Sequence, residues 1–221
     1  MLSSRKAYKW FYNHVQSRYY NLAIKWCYLP VGGEEKCRRE LISPVTFSPN
    51  DRILDMCCGT GGATFTIAKR AGSQCRVIGL DLSFGQVKVA QRNCRFDHVK
   101  FLLGDAAAAS FKARSFDIVF ITHALHEMQR DTRLKVLSEA KRVLREKGQI
   151  IILELDNPPS LFVRLFIGFW FLYWLPFNFE TPTRRDMQRR GLTRELAEAG
   201  FTNIRKISKC RGIFQVVFGE K

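Results

Sequence analysis

The sequence predicts an α/β fold: a doubly wound, mostly parallel sheet of seven strands, with an antiparallel C-terminal edge hairpin and an N-terminal helical cap. Three observations predict it. From Arg52 onward, short and almost continuously apolar runs alternate with amphipathic ones, the pattern of strands buried on both faces and joined by crossover helices. Glycine or acidic residues recur at the downstream ends of the apolar runs. The tail then abandons the alternation for a helical run followed by two strand-like runs around "KCRG".

Taken in order, "RKAYKWFYNHVQSRYYNLAIKWCYLP" mixes Tyr, Trp and Phe with Lys and Arg at helical spacing, and "SPVTFSPND" supplies turn chemistry before the first strand. This sets a boundary near Ile42 and Ser43, with a cap over 1–42 and a core over 43–221. "RILDMC" reads as a strand and "GGATFTIAKRAG" as a helix ended by Gly72. "CRVIGLD" is the second strand, followed by the helix "SFGQVKVAQRN". "VKFLLGD" and "FDIVFIT" are the third and fourth strands. "RDTRLKVLSEAKRVLREKG" reads as one long helix stopped by Gly148, and "QIIILELD" as the fifth strand. An aromatic insertion over 158–182 follows, and then the C-terminal helix and hairpin.

Composition narrows the function classes. The 221 residues carry a net charge of +16, which draws a protein to a polyanion such as nucleic acid, an anionic membrane surface or an acidic partner. Seven cysteines without a CxxC pair argue against a disulfide scaffold or zinc ribbon and for a reducing cytoplasm. The N-terminus does not read as a signal peptide. The run "LFVRLFIGFWFLYWLPF", 161–177, contains Arg164 and Pro176 and is shorter than the roughly 20 apolar residues that span a bilayer. It reads as a buried or interfacial helix.

In a doubly wound sheet, ligands sit at the carboxyl ends of the strands near the switch point. Strand one ends in "CCGTGG", Cys57 to Gly62, with Asp55 just ahead. Strand two ends at Asp81, strand three at Asp105, and strand four at Thr122 and His123. A glycine turn followed by an acid at the next strand tip holds a nucleoside: the glycines admit the ligand to the backbone and the acid accepts the ribose hydroxyls. The chain has neither a dinucleotide G-x-G-x-x-G nor a phosphate-cradling G-x-x-x-x-G-K-[ST] at this turn, so the expected ligand is a nucleoside without phosphates.

The motifs "ILDMCCGTGG", "VIGLDLS", "FLLGDAAAASF" and "FDIVFITHALHEM", in this order, resemble the class I S-adenosylmethionine-dependent methyltransferases of Rossmann-like fold, and among them the ubiquinone/menaquinone C-methyltransferase group. The resemblance covers roughly 51–156. It implies S-adenosylmethionine as cofactor, with Asp55, Cys57 and Gly59, Thr60 and Gly61 along the methionine moiety. It places Asp81 on the ribose and Leu82 on adenine, with Asp105 at the adenine amino group and Ala106 beside it. Thr122 and His123 line the methyl-donor end. Cys57 departs from the family, which usually has glycine or alanine there; both cysteines read as small residues in a backbone cradle.

Methyl transfer needs a base only if the acceptor must lose a proton. His123 and His126 are the candidates, since imidazole titrates near working pH; for His126 and Glu127, hydrogen bonding around the following helix is an equal reading. No metal site is expected. "DNPPS" follows the fifth strand rather than the fourth and ends in serine, unlike the clamp of amine-modifying nucleic-acid methyltransferases, so nucleic acid is the less favoured acceptor. The aromatic, cationic N-terminal segment and the segment 161–177 suit an anionic membrane surface. The expectation is methyl transfer to a lipophilic acceptor, a quinone precursor or phospholipid amine, by a cytoplasmic protein peripheral to the membrane. The alternatives are a soluble small-molecule or RNA acceptor, or a cofactor-binding partner of another methyltransfer system that does not turn over.

Overall fold

The computed structural model describes residues 32–156, 165 and 181–221. The aromatic N-terminal segment lies outside these residues, as does almost all of the expected 158–182 insertion. The described elements run α1 (Glu34–Ile42), β1 (Arg52–Met56), α2 (Gly62–Ala71), β2 (Arg76–Asp81), α3 (Phe84–Asn93), β3 (Val99–Leu103), β4 (Phe116–Thr122), α4 (Arg130–Val143), β5 (Leu144–Leu155), α5 (Thr181–Arg190), α6 (Leu192–Glu198), β6 (Thr202–Lys209) and β7 (Phe214–Glu220).

The strands form one sheet in the order β3-β2-β1-β4-β5-β7-β6, mostly parallel as the alternation predicts. Strand period sorts the core residues into two layers. Ile53, Ile118, Phe120, Ile151 and Leu153 face a layer that includes Leu41 and Ile42 of α1 and Ile67 of α2. Leu54, Val119, Ile121, Ile150 and Ile152 face the opposite layer, with Leu137 and Val143 of α4 and Leu196 of α6. Every residue of β4 is buried, as befits a central strand covered on both sides.

The C-terminal hairpin enters the sheet second strand first. β7 lies between β5 and β6 and runs antiparallel to both, which leaves β6 as the edge. Exposed Arg205 and Lys206 on β6 keep that edge from pairing with another chain.

One element differs from the sequence reading. The helix expected to run to Gly148 stops at Val143, and Leu144 already pairs with Phe116 in the sheet. Leu144 is apolar and fully buried, so its pattern fits either state and sheet pairing decides. The chain then turns through Lys147, at φ +63, and Gly148. A Cβ on Gly148 would lie 2.8 Å from the Arg145 carbonyl oxygen; glycine there ends the turn rather than the helix.

Candidate active site

After β1 the chain leaves outward to β2 and β3, then returns on the other side of β1 as β4. The crevice of the sheet therefore opens at the carboxyl ends of β1 and β4, and the strand-tip residues named from the sequence gather around it.

The glycine turn is tied to the next strand. The Cys58 N–H donates to the Leu80 carbonyl at 3.0 Å, and the Gly61 N–H to the Cys58 carbonyl at 3.0 Å. The Gly59 N–H donates to Asp81 Oδ2 at 2.8 Å, while the Ser83 N–H donates to Asp81 Oδ1 at 2.9 Å. Each Asp81 oxygen thus holds one backbone N–H and retains lone pairs for further donors. Burial raises the Asp81 pKa against the pull of these backbone bonds. Gly61 caps α2 at φ +85, where a Cβ would come 2.9 Å from the Phe65 ring and 3.0 Å from that of Phe101. Only glycine fits both the conformation and the space.

Asp55 lies beneath the turn. It is fully buried; Oδ2 accepts from the Thr64 hydroxyl at 2.6 Å, and Oδ1 has no partner among the described residues. Burial lifts its pKa to about 7, against the opposing bond from Thr64. Cys57 adopts φ +62, a left-handed conformation that glycine takes most readily. Burial pushes the Cys57 and Cys58 thiols well above their ordinary value, and the nearby Asp81 and Asp55 charges add to it. Neither is poised as a thiolate.

Beyond the turn, Leu82 is 40% exposed beside Asp81. Asp105 Oδ1 accepts from the Ala107 N–H at 2.9 Å and opens a short 3-10 turn, Ala106–Ala108, in which Ala106 is buried. Thr60 is half-buried at the apex of the glycine turn. Thr122 is buried at the end of β4, and its Oγ1 has no partner among the described residues. An exposed apolar side chain beside a carboxylate, glycine backbone and a buried hydroxyl with spare hydrogen-bonding capacity fit a nucleoside joined to an amino acid.

The far wall is built on a residue the sequence reading passed over. Glu154 of β5 is fully buried; Oε2 accepts from the Leu125 and His126 N–H groups at 3.1 and 3.3 Å. Oε1 lies 2.8 Å from His126 Nδ1 and accepts from the Leu155 N–H at 2.8 Å. Burial works against ionisation of Glu154, but His126 and the bonds around it hold the carboxyl well below the usual range. His123, at φ +50, stacks obliquely on Phe214 with ring centroids 5.1 Å apart, and its Nδ1 is 3.9 Å from Glu154 Oε1. Burial lowers the His123 pKa more than Glu154 raises it, which favours the neutral imidazole. The signal for Glu154 was present: a charge set between Leu153 and Leu155 within the apolar run of β5.

A sheet with this switch point, glycine turn and strand-tip acid is the site of a doubly wound, nucleoside-binding protein. The comparisons make that class specific. A family model described as a methyltransferase domain matches residues 53–148. The chain is 31% identical over 206 residues to an uncharacterised methyltransferase of Synechocystis sp., covering 90% of this chain and 89% of that protein. It is 37% identical over 153 residues to a demethylmenaquinone methyltransferase of Symbiobacterium thermophilum, covering 67% of this chain and 59% of that one. Among solved structures, a SAM-dependent methyltransferase of Thermotoga maritima superposes with a TM-score of 0.66 at 19% identity, covering 94% of this chain and 99% of its own. The chain belongs to the class I S-adenosylmethionine-dependent methyltransferases and is similar to their menaquinone group.

Proposed function

We propose that this methyltransferase acts on a lipophilic acceptor, a quinone precursor or phospholipid amine, presented at a membrane surface. The observation that carries the reading is the docking of α5. This helix holds Arg184, Arg185, Arg189 and Arg190 and comes after the aromatic sequence 161–177. Thr183 donates to the His126 carbonyl at 2.6 Å, so the basic helix docks on the loop that carries His126. An aromatic segment leading into an arginine helix suits an anionic headgroup layer, and the similarity to demethylmenaquinone methyltransferases supports a quinone-like acceptor.

In this reading Asp81 takes the ribose hydroxyls, Leu82 and Ala106 pack on the adenine, and Asp105 accepts its amino group. Cys57, Gly59, Thr60 and Gly61 form the backbone cradle for the methionine moiety above Asp55, and Thr122 and His123 close the methyl-donor end. When bound, S-adenosylmethionine supplies a methyl group on a sulfonium, open to in-line displacement. The chain's own residues orient the acceptor, exclude water and receive its proton. His123 is kept neutral by burial and can serve as base. Glu154, 2.8 Å from His126 Nδ1, fixes the orientation of that ring.

The test is methyl transfer from labelled S-adenosylmethionine to a demethylated quinol, or to phosphatidylethanolamine, carried in anionic vesicles. Turnover with one of these lipids and none with RNA supports the reading; turnover confined to RNA or to water-soluble amines overturns it. Glu154→Gln should leave cofactor affinity within about twofold and lower turnover ~10²-fold or more, the range of lost acid–base assistance.

A further inference from the structure

Cys37 and Cys210 are 173 residues apart in the chain, yet their Sγ atoms lie 2.9 Å from each other in the interior. That separation is inside the ~3.5–4.0 Å at which non-bonded atoms of this size usually rest. Cys37 is on α1 and wholly buried. Cys210 opens the turn between β6 and β7 at φ +51 and retains 6% exposure.

We propose that Cys37 and Cys210 form a disulfide, a covalent modification site that ties α1 to the C-terminal hairpin and holds Arg38 over the glycine turn. α1 is short and weakly capped. It has nine residues, it is entered through Gly32 and Gly33 at φ +89 and +95, and its N-cap makes no side-chain hydrogen bond. A helix this short is marginal unless tertiary contacts hold it. Arg38 follows Cys37 directly, and a Cβ placed on Gly62 would meet the Arg38 guanidinium at 3.1 Å. The same charge favours the ionised form of Asp55. The position of α1 therefore bears on the cofactor cradle, a consequence that rests on the site reading given above.

The chemistry is thiol–disulfide exchange with a low-molecular-weight disulfide. Cys210, the thiol of the pair that retains exposure, is the attacking one: its hydrogen bond with Cys37 holds it below its ordinary pKa, whereas Cys37 is pushed far up. Its thiolate bonds to one sulfur of the small disulfide, whose other sulfur leaves as a thiolate. Cys37, losing its proton to that leaving thiolate, then attacks Cys210 and expels the second small thiolate, which is protonated from solvent. The two protein thiols lose two protons and two electrons, and the small disulfide is reduced to two thiols.

The full chain is incubated with oxidised glutathione or with dithiothreitol, alkylated, digested and read by mass spectrometry, with melting and S-adenosylmethionine calorimetry in parallel. The expected results are a cross-linked Cys37–Cys210 peptide, a Tm raised by several degrees and a cofactor Kd at least threefold tighter in the oxidised protein. Cys37→Ser and Cys210→Ser should each abolish all three redox effects, whereas Cys94→Ser should abolish none; if Cys37→Ser does not fold, Cys210→Ser carries the comparison. A failure of the cross-link to form, its formation through Cys27 instead, or an unchanged Kd in cross-linked protein overturns the proposal. A Cys37–Cys210 cross-link with a raised Tm in a protein that binds no S-adenosylmethionine in either state would uphold the tie and overturn the cofactor-site reading.

Discussion

Asp55 places a carboxylate at the end of β1 with the Thr64 hydroxyl on one oxygen and no partner among the described residues on the other, and burial raises its pKa to about 7. An unfolded aspartate titrates near ~3.9. Below that pH both states are protonated and Asp55 contributes nothing to pH dependence. Between there and about 7 the unfolded chain ionises while the folded one does not, so stability falls as pH rises; above 7 both are ionised and the loss levels off. Its full size is on the order of 4 kcal/mol. Asp55→Asn cannot ionise, so its stability relative to the wild type should grow between pH 4.5 and 7.5 and then plateau, as read by urea denaturation at each pH. A difference constant across that range would contradict the assignment. Asp55 and Asp81 were legible because a strand-tip acid beside a glycine turn is a recognisable arrangement. Glu154 was harder to see: its partners Leu125, His126 and Leu155 come from β5 and from the loop after β4, which only the folded sheet brings together.

At the scale of elements, the wall behind His126 is held by a buried cation. Arg133 of α4 has no exposed surface; its guanidinium donates to Glu195 Oε2 and Oε1 at 2.8 and 2.6 Å, to Asp186 at 2.7 Å and to the Met128 carbonyl at 2.7 Å. One side chain thus joins α4, α5, α6 and the loop that carries His126. Removing one member of a buried pair strands the other, at ~3–5 kcal/mol, while replacing both with apolar groups is often close to neutral. Arg133→Met should therefore destabilise by about that amount in urea denaturation, because Glu195 is itself only 1% exposed. The double variant Arg133→Met, Glu195→Leu should recover most of the loss; equal losses in single and double variants would mean the clamp is not a coupled unit. Neither the clamp nor the order of the last two strands could be read from local pattern. Arg133 sits in a helix whose sequence is largely polar, and the preference of β7 over β6 for the place beside β5 shows only in the fold. The apolar run of β7, buried along almost its whole length against the mostly exposed β6, is the physical reason for that order. The β-α alternation was legible because it depends only on period and burial, which each segment carries alone.

For the molecule as a whole, the net charge of +16 calls for an explanation that the cofactor site does not provide. The proposed cradle, with Asp55, Asp81 and Asp105 at its strand tips, has no use for excess cations. On α5, Arg185 and Arg189 are both exposed and, four residues apart, lie on one helix face, whereas Arg190 is engaged with Asp186 at 2.9 Å. Each basic residue near an anionic leaflet contributes ~1 kcal/mol of attraction. Reversing both with Arg185→Glu, Arg189→Glu removes about 2 kcal/mol and adds repulsion, so binding to phosphatidylserine-containing vesicles should weaken about thirtyfold or more. Wild-type binding should itself fall steeply with added salt, since the interaction is screened within a Debye length, and should be absent on neutral vesicles. Cofactor affinity should not change in the double variant, because neither arginine belongs to the cradle. Flotation across a salt series, paired with calorimetry, reads both quantities. Unaltered flotation of the double variant would move the membrane contact away from α5, and the docking of this helix at His126 would then serve the site alone.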